Sequence, residues 1–314
     1  MLPPALLKDA IVYANLLLML TIGFTLTYLI AKIPNFAHGE FAGIGIYVSF
    51  TVVQIWKMNP YIAVPLAFIV SAIIGVIIYN GVLRTLKKFG GTLISLTIST
   101  LAMQIIISAL INVYADYLYP IAGAYSRLFM FRHIDFEFMG QPGVLIVSSL
   151  LVFTLIIVLH LILTKTKFGI SLRAVVEDSD LASVLGVNVE FACTISWALT
   201  GGLAGMAGAL LPLWFQGHPY TGSMLLTSVF AASILGGISS IYGAMLGGYL
   251  IGLSEVFGTY FLAQTFGSQI TAYRMLIPLI ILCIVLLLAP RGLTGVIEDL
   301  QAKRISKKIV RMGG

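Results

Sequence analysis

Charge is what this chain has least of. Only 10% of its 314 residues are Asp, Glu, Lys or Arg, where a soluble domain carries about 25%. Mean hydropathy is +1.04. That scarcity excludes a water-soluble globular protein. Cysteine is almost absent too. Cys193 and Cys283 both lie in apolar stretches, so no disulfide framework and no cysteine metal cluster can form. The four histidines, His38, His133, His160 and His218, are scattered, without HExxH or another ligand spacing. There is no GxxxxGK[ST] phosphate loop, which excludes ATP hydrolysis by that route. Nothing assembles a nucleophile, a base and an orienting acid. The expectation is a chain with no catalytic residue, no metal and no cofactor of its own.

What is present in abundance is apolar sequence, in runs of about twenty residues, the length a helix needs to cross a bilayer. A closed barrel would instead show alternating ten-residue strands. The runs fall near 10–31, 36–56, 61–82, 92–112, 143–163, 191–214, 224–257 and 274–289. The expected fold is all-α: one polytopic transmembrane bundle over 1–314, with about eight or nine membrane segments surrounded by lipid. The first run is longer than a signal-peptide core and lacks a clean cleavage site, so it reads as a retained helix.

Basic residues orient the chain, because cytoplasmic loops carry the excess. Of 18 Lys and Arg, 13 form one set: Lys32, Arg84, Lys87, Lys88, Lys165, Lys167, Arg173, Arg291, Lys303, Arg304, Lys307, Lys308 and Arg311. Lys8, Lys57, Arg127, Arg132 and Arg274 form the other. The richer set predicts an external N-terminus, an internal insert at 165–190 and an internal basic tail at 298–314. The net charge of +6 therefore belongs to membrane-flanking loops and does not indicate nucleic acid.

Parity then requires segment 224–257 to start and end outside. It contains Gly236, Gly237, Gly243, Gly247, Gly248 and Gly252, and Gly236-Gly237-Ile238-Ser239-Ser240 reads as a break. Two helices or a re-entrant pair satisfy the parity equally. Gly236, Gly237, Gly243 and Gly247 are candidates for a hinge or for close packing, since Gly243/Gly247 and Gly248/Gly252 have GxxxG spacing.

Only two of the acidic residues, Glu40 and Glu255, fall inside apolar runs. Glu255 is expected near an outer end, reaching water. Glu40 follows Asn35, which is expected to cap a helix holding His38 and Glu40 in its first turns. A helix N-terminus favours a carboxylate there, so a helix-end role and a functional role both stand. In run 92–112, Thr100, Gln104, Ser108 and Asn112 recur every four residues and form one polar stripe on a helix. Such a stripe must face other helices or water. Thr100, Gln104, Ser108, Asn35 and Glu40 are the candidate pathway residues. Asn15 and Thr25 in the first run extend the candidate path.

The insert Lys165–Glu190 is too polar to cross a membrane. Leu172, Val175 and Val176 share one helical face, while Leu181, Val184 and Leu185 share another. The change of face predicts two short helices with a turn at Glu177-Asp178-Ser179. Asp178 or Ser179 would cap the second, Gly186 would end it, and Asn188 would cap the next membrane helix. An amphipathic loop lying on the bilayer surface is the alternative.

Arg173-Ala174-Val175-Val176-Glu177-Asp178, with Ala182 and Leu185-Gly186-Val187-Asn188, resembles the ATPase-coupling loop of branched-chain amino acid ABC importer permeases. Three further stretches agree in order. They are Asn35-Phe36-Ala37-His38-Gly39-Glu40, the glycine-rich Leu235–Ala244, and Ala289-Pro290-Arg291-Gly292-Leu293-Thr294-Gly295. Ala289 and Thr294 depart from the family's usual Arg-Pro-x-Gly-Leu-Phe-Gly turn. The first of the three is most similar to the H-type subunit. The resemblance covers roughly residues 10–297. It implies a permease for leucine, isoleucine and valine, paired with an M-type permease or a like copy. It also implies two cytoplasmic ATPase subunits that bind the ATP, and an extracytoplasmic substrate-binding protein. Coupling would fall to Arg173, Glu177, Asp178, Ala182 and Gly186. The rival readings are a related permease for urea or short amides, a proton-coupled secondary transporter using Glu40, and a non-transporting scaffold.

Overall fold

A computed structural model describes residues 3–296, so the basic tail at 298–314 lies outside the described residues. Nearly every described residue outside short loops is helical. In lipid this is forced, because a backbone group without an internal partner finds no water to bond. The α-helices are α1 (Pro4–Ala31), α2 (His38–Phe50), α3 (Ala63–Ile78), α4 (Arg84–Lys88), α5 (Leu93–Ala122) and α6 (Gly143–Lys165). They continue with α7 (Lys167–Glu177), α8 (Ser179–Val184), α9 (Val189–Leu210), α10 (Thr221–Gly236), α11 (Ile241–Phe266) and α12 (Leu276–Leu288). Wide π turns at Thr51–Ile55 and Tyr79–Leu83 extend α2 and join α3 to α4. Seven helical stretches among the described residues are long and apolar enough to cross a membrane.

The bundle is built around α1, which packs against α6, α9, α10 and α11. Small residues permit this. A Cβ added at Gly252 would lie 2.5 Å from Ala14 Cα, and one at Gly248 would lie 2.7 Å from Leu18 Cα. Dispersion and hydrogen bonds, rather than the hydrophobic effect, hold such seams together in lipid. Asn15 Nδ2 donates to Ser148 and Ser149 of α6 at 3.1 and 3.0 Å. Thr25 shares a 2.8 Å bond with Ser233 of α10. Both residues therefore stitch α1 to its neighbours and do not line a path. A second seam runs along α9, where Gly201, Gly205 and Gly208 touch the backbones of α3 and α2.

Run 224–257 is two helices, α10 and α11, turned at Gly237 with φ +105°. Gly236 and Gly243 meet backbone to backbone, and Gly247 meets Ala232 in the same way. The turn lies against Pro290, Arg291, Thr294 and Gly295, just past α12. It therefore sits at the same end of the bundle as the end of α12, which fits two antiparallel rods better than a dip at mid-depth. Thr294, one of the residues that departs from the family turn, fills the space beside Gly237 and Gly243.

Two expectations are corrected. Glu255 does not reach water: it is 2% exposed, and Tyr13, Ser228 and Arg274 all donate to it. The fourth apolar run also does not stop at 112. α5 continues through Asp116 to Ala122, because Asp116 is neutralised by Arg127 outside the helix.

The insert folds as two helices. α7 buries Leu172 and Val175 against the bundle. Asp178 Oδ1 accepts from the N–H groups of Asp180 and Leu181 and so caps α8. Gly186, at φ +87°, ends the element, and Asn188 Oδ1 caps α9 through Phe191. Lys165, Val189 and Glu190 belong to the flanking membrane helices.

Candidate functional site

After α1 the chain does not stay at the end of the bundle. Residues 32–37 fold back into it, and α2 starts at depth. His38 Nε2 bonds to Leu20 O at 2.9 Å, near the midpoint of α1. Gly39 touches the carbonyl of Gly222, so α10 starts beside α2. The absence of both side chains lets the two helix starts meet. Irregular backbone at this depth is stable only when protein surrounds it or when it lines a cavity. The first condition is met here, since Asn35, His38 and Glu40 are each no more than 1% exposed.

The local geometry differs from a side-chain cap. Asn35 Oδ1 accepts from the Ala37 N–H at 3.1 Å, forming a turn one residue before the helix, and the N-cap of α2 is Ala37 without a side-chain bond. The expectation that Asn35 caps the helix is thereby corrected. Glu40 sits in the first turn, where its carboxylate complements the N-terminal dipole. Ser223 Oγ, in the first turn of α10, donates to Glu40 Oε1. Glu40 Oε2, Asn35 Nδ2 and His38 Nδ1 are buried and have no partner among the described residues. Such groups are costly to leave unpaired.

The polar stripe of α5 faces this break. Thr100 Oγ1 accepts from the Phe36 N–H and lies at the same 3.3 Å from Pro34 O, which ties α5 to the folded-back segment. Beyond it, Gln104, Ser108 and Asn112 line a cleft of about 610 Å³ with Leu101, Ile105, Arg127, Tyr220 and Ser223. Arg127 makes a two-pronged ion pair with Asp116, at 2.8 Å from Nε and 2.8 Å from Nη2, and reaches Asn112 Oδ1 at 3.4 Å. His218, in the loop before α10, is half-buried, and that burial pushes its imidazole below the usual value.

Thus Asn35, Glu40, Thr100, Gln104 and Ser108 gather around one break and one cleft. The residues Arg173, Glu177, Asp178, Ala182 and Gly186 form a separate group on α7 and α8. Gly236, Gly237, Gly243 and Gly247 lie in the α10–α11 seam. Ser223 and Arg127 were not singled out by sequence reasoning. No local signal marks Ser223, while Arg127 could have been noticed eleven residues after Asp116. The α9 seam carried a readable sign, the GxxxG pair Gly201/Gly205.

The chain matches the family model described as the permease component of the branched-chain amino acid transport system over residues 6–286. It is 44% identical to a probable branched-chain amino acid transport permease protein LivH of Methanocaldococcus jannaschii, covering 93% of this chain and 92% of that protein. It is 30% identical to the high-affinity permease protein BraD of Pseudomonas aeruginosa, covering 88% and 91%. It is 28% identical to LivH of Escherichia coli K12, covering 88% and 90%. Its fold is similar to that of PsaBC from Streptococcus pneumoniae, solved in complex with Fab, at TM-score 0.50 and 13% identity over 91% of this chain and 92% of that one. The chain belongs to the branched-chain amino acid transport permease family.

Proposed function

We propose that this chain is the H-type membrane-spanning subunit of an ATP-driven importer for leucine, isoleucine and valine. The observation that carries the reading is the nearly full-length match to permeases of that transport system. The architecture supports a division of labour. The α5 cleft forms one wall of the pathway, and a second permease, M-type or a like copy, supplies the other. The cleft is open on the α5 side, where Ile94, Ile98 and Ile105 are exposed. Two ATPases dock from the cytoplasm, one on α7 and α8 and the other on the second permease, and an extracytoplasmic binding protein delivers the substrate.

The shape of the insert supports its role as a coupling element. Leu181, Val184 and Leu185 are 57%, 83% and 74% exposed, while Ala182 beside them is buried. An apolar face of this kind on an otherwise charged element suits a protein partner. The insert is seated on the bundle through Leu172 and Val175, so a push on α8 passes to α9 and α6. In this reading the N-terminus is external and the tail cytoplasmic.

The test is leucine uptake by proteoliposomes holding this chain, its partner permease, the ATPases and the binding protein. ATP-dependent uptake is expected. Uptake by the chain alone under a proton gradient would overturn the reading in favour of a secondary transporter. In Gly186→Ala a side chain enters a left-handed backbone position, at a cost of about 1–2 kcal/mol. That variant and Glu177→Ala should lower both uptake and ATPase co-purification while leaving membrane insertion intact.

A further inference from the structure

We infer that the cleft between α5 and the start of α10 is a two-point site for the zwitterion of the transported amino acid. In this site Arg127 takes the carboxylate, and Ser223 backed by Glu40 takes the ammonium. The inference rests on the proposed function and adds to it the residues that read the substrate in the cleft.

The chemistry follows from the solute. A free amino acid carries two opposite charges, and each is costly to move into low dielectric without a partner. A pathway for it must offer an anion-binding group and a cation-binding group in one cavity, with apolar wall for the side chain. The cleft has all three. Arg127 engages three of its five N–H donors, two with Asp116 and one with Asn112. Two N–H donors are thus not used by protein acceptors among the described residues, and a carboxylate is the group that guanidinium donors fit best. The pairing with Asp116 fixes the guanidinium plane and so orients those donors.

At the other point, Ser223 gives its own proton to Glu40. Its oxygen then presents only lone pairs to the cleft, and the carboxylate behind it makes that oxygen an acceptor suited to an ammonium. Glu40 Oε2 is buried without a partner among the described residues, so the carboxylate keeps acceptor capacity that protein groups do not use. Leu101 and Ile105 supply the apolar wall.

The experiment is ligand-observed NMR on the complete permease–ATPase complex in nanodiscs without the binding protein. It compares leucine, leucine amide, which lacks the carboxylate, and 4-methylpentanoate, which lacks the ammonium. Wild type should prefer leucine over each analogue by about tenfold, the effect of one lost charged contact. Arg127→Gln should abolish the preference over the amide only, and Arg127→Lys should restore part of it. Glu40→Gln should abolish the preference over the acid only, and Ser223→Ala should weaken the same preference if Glu40→Gln fails to assemble. Unchanged ratios in assembled variants would overturn the inference, as would a wild type that binds all three alike or gives no leucine signal. Complete-importer uptake separates the two claims: a wild type that imports leucine yet shows those ratios fails only this inference, whereas one that imports no branched-chain amino acid fails the proposed function.

Discussion

α1 and α5 are similar as sequences, 28 and 30 residues long and each apolar enough to span, yet the spanning window of α1 is 94% buried and that of α5 is 28%. Their apolarity does not separate them, because lipid tails solvate leucine as well as another helix does. The partners do. α1 is met by glycines on α11 that bring backbone to backbone, and its Tyr13, Asn15 and Thr25 each find a mate on a neighbour. α5 contains no glycine, turns isoleucines outward and keeps its polar stripe for the cleft. α1 is thus the post of the bundle and α5 an outer wall.

The same contrast appears in their ion pairs. Glu255 is buried between α1, α10 and α11, receives Tyr13 and Ser228, and pairs with Arg274 at 2.5 Å. The guanidinium also sits 4.1 Å over the Tyr13 ring. On α5, Asp116 and Arg127 pair where both are well exposed.

The largest expected effect breaks the post. Arg274→Met strands a buried carboxylate and should destabilise the permease by about 3–5 kcal/mol. Arg127→Gln removes an exposed, solvent-screened pair and should leave the unfolding temperature almost unchanged. Thermal unfolding in detergent reads both, and equal losses would dissolve the distinction between post and wall. Next comes packing. Gly252→Leu drives a side chain into the Ala14 backbone and should cost about 1–3 kcal/mol or more, seen as lost monodisperse yield. Ala109 also lines the cleft and is exposed on the open side of α5, so Ala109→Leu should stay within about 0.5 kcal/mol while narrowing the cleft and slowing uptake. The smallest effect concerns the tie between wall and break. Thr100→Val deletes the bond to Phe36 and should lower stability by about 0.6 kcal/mol, a typical interhelical bond. A similar loss from Thr97→Val, whose hydroxyl bonds only within α5, would show that the tie carries nothing.

Much of the fold was legible because helical periodicity and caps are local. The turn at Asp178, the stop at Gly186 and the cap at Asn188 all depend on residues within a few positions of one another. The stripe Thr100, Gln104, Ser108 and Asn112 was legible for the same reason. The depth of Asn35–Glu40 was not. The pattern put Glu40 in the first turns of a helix in an apolar run, and only the contacts of His38 with Leu20 and of Gly39 with Gly222 fix how deep that helix start lies. Glu255 read as a surface acid because its three donors come from residues 13, 228 and 274. Arg127 read as one of the orienting charges because its neighbours in the cleft lie on α5 and α10.

By itself the sequence determined that this chain lives in a membrane, where its helices start and stop, and which family it resembles. Those properties follow from length, hydropathy and short-range hydrogen bonding. The tertiary structure alone decided which helix stands at the centre, how deep the break after α1 reaches and which charges share a cavity. In lipid those outcomes depend on backbone approach and on polar partners far apart in the chain, and no window of sequence contains both members of such a pair.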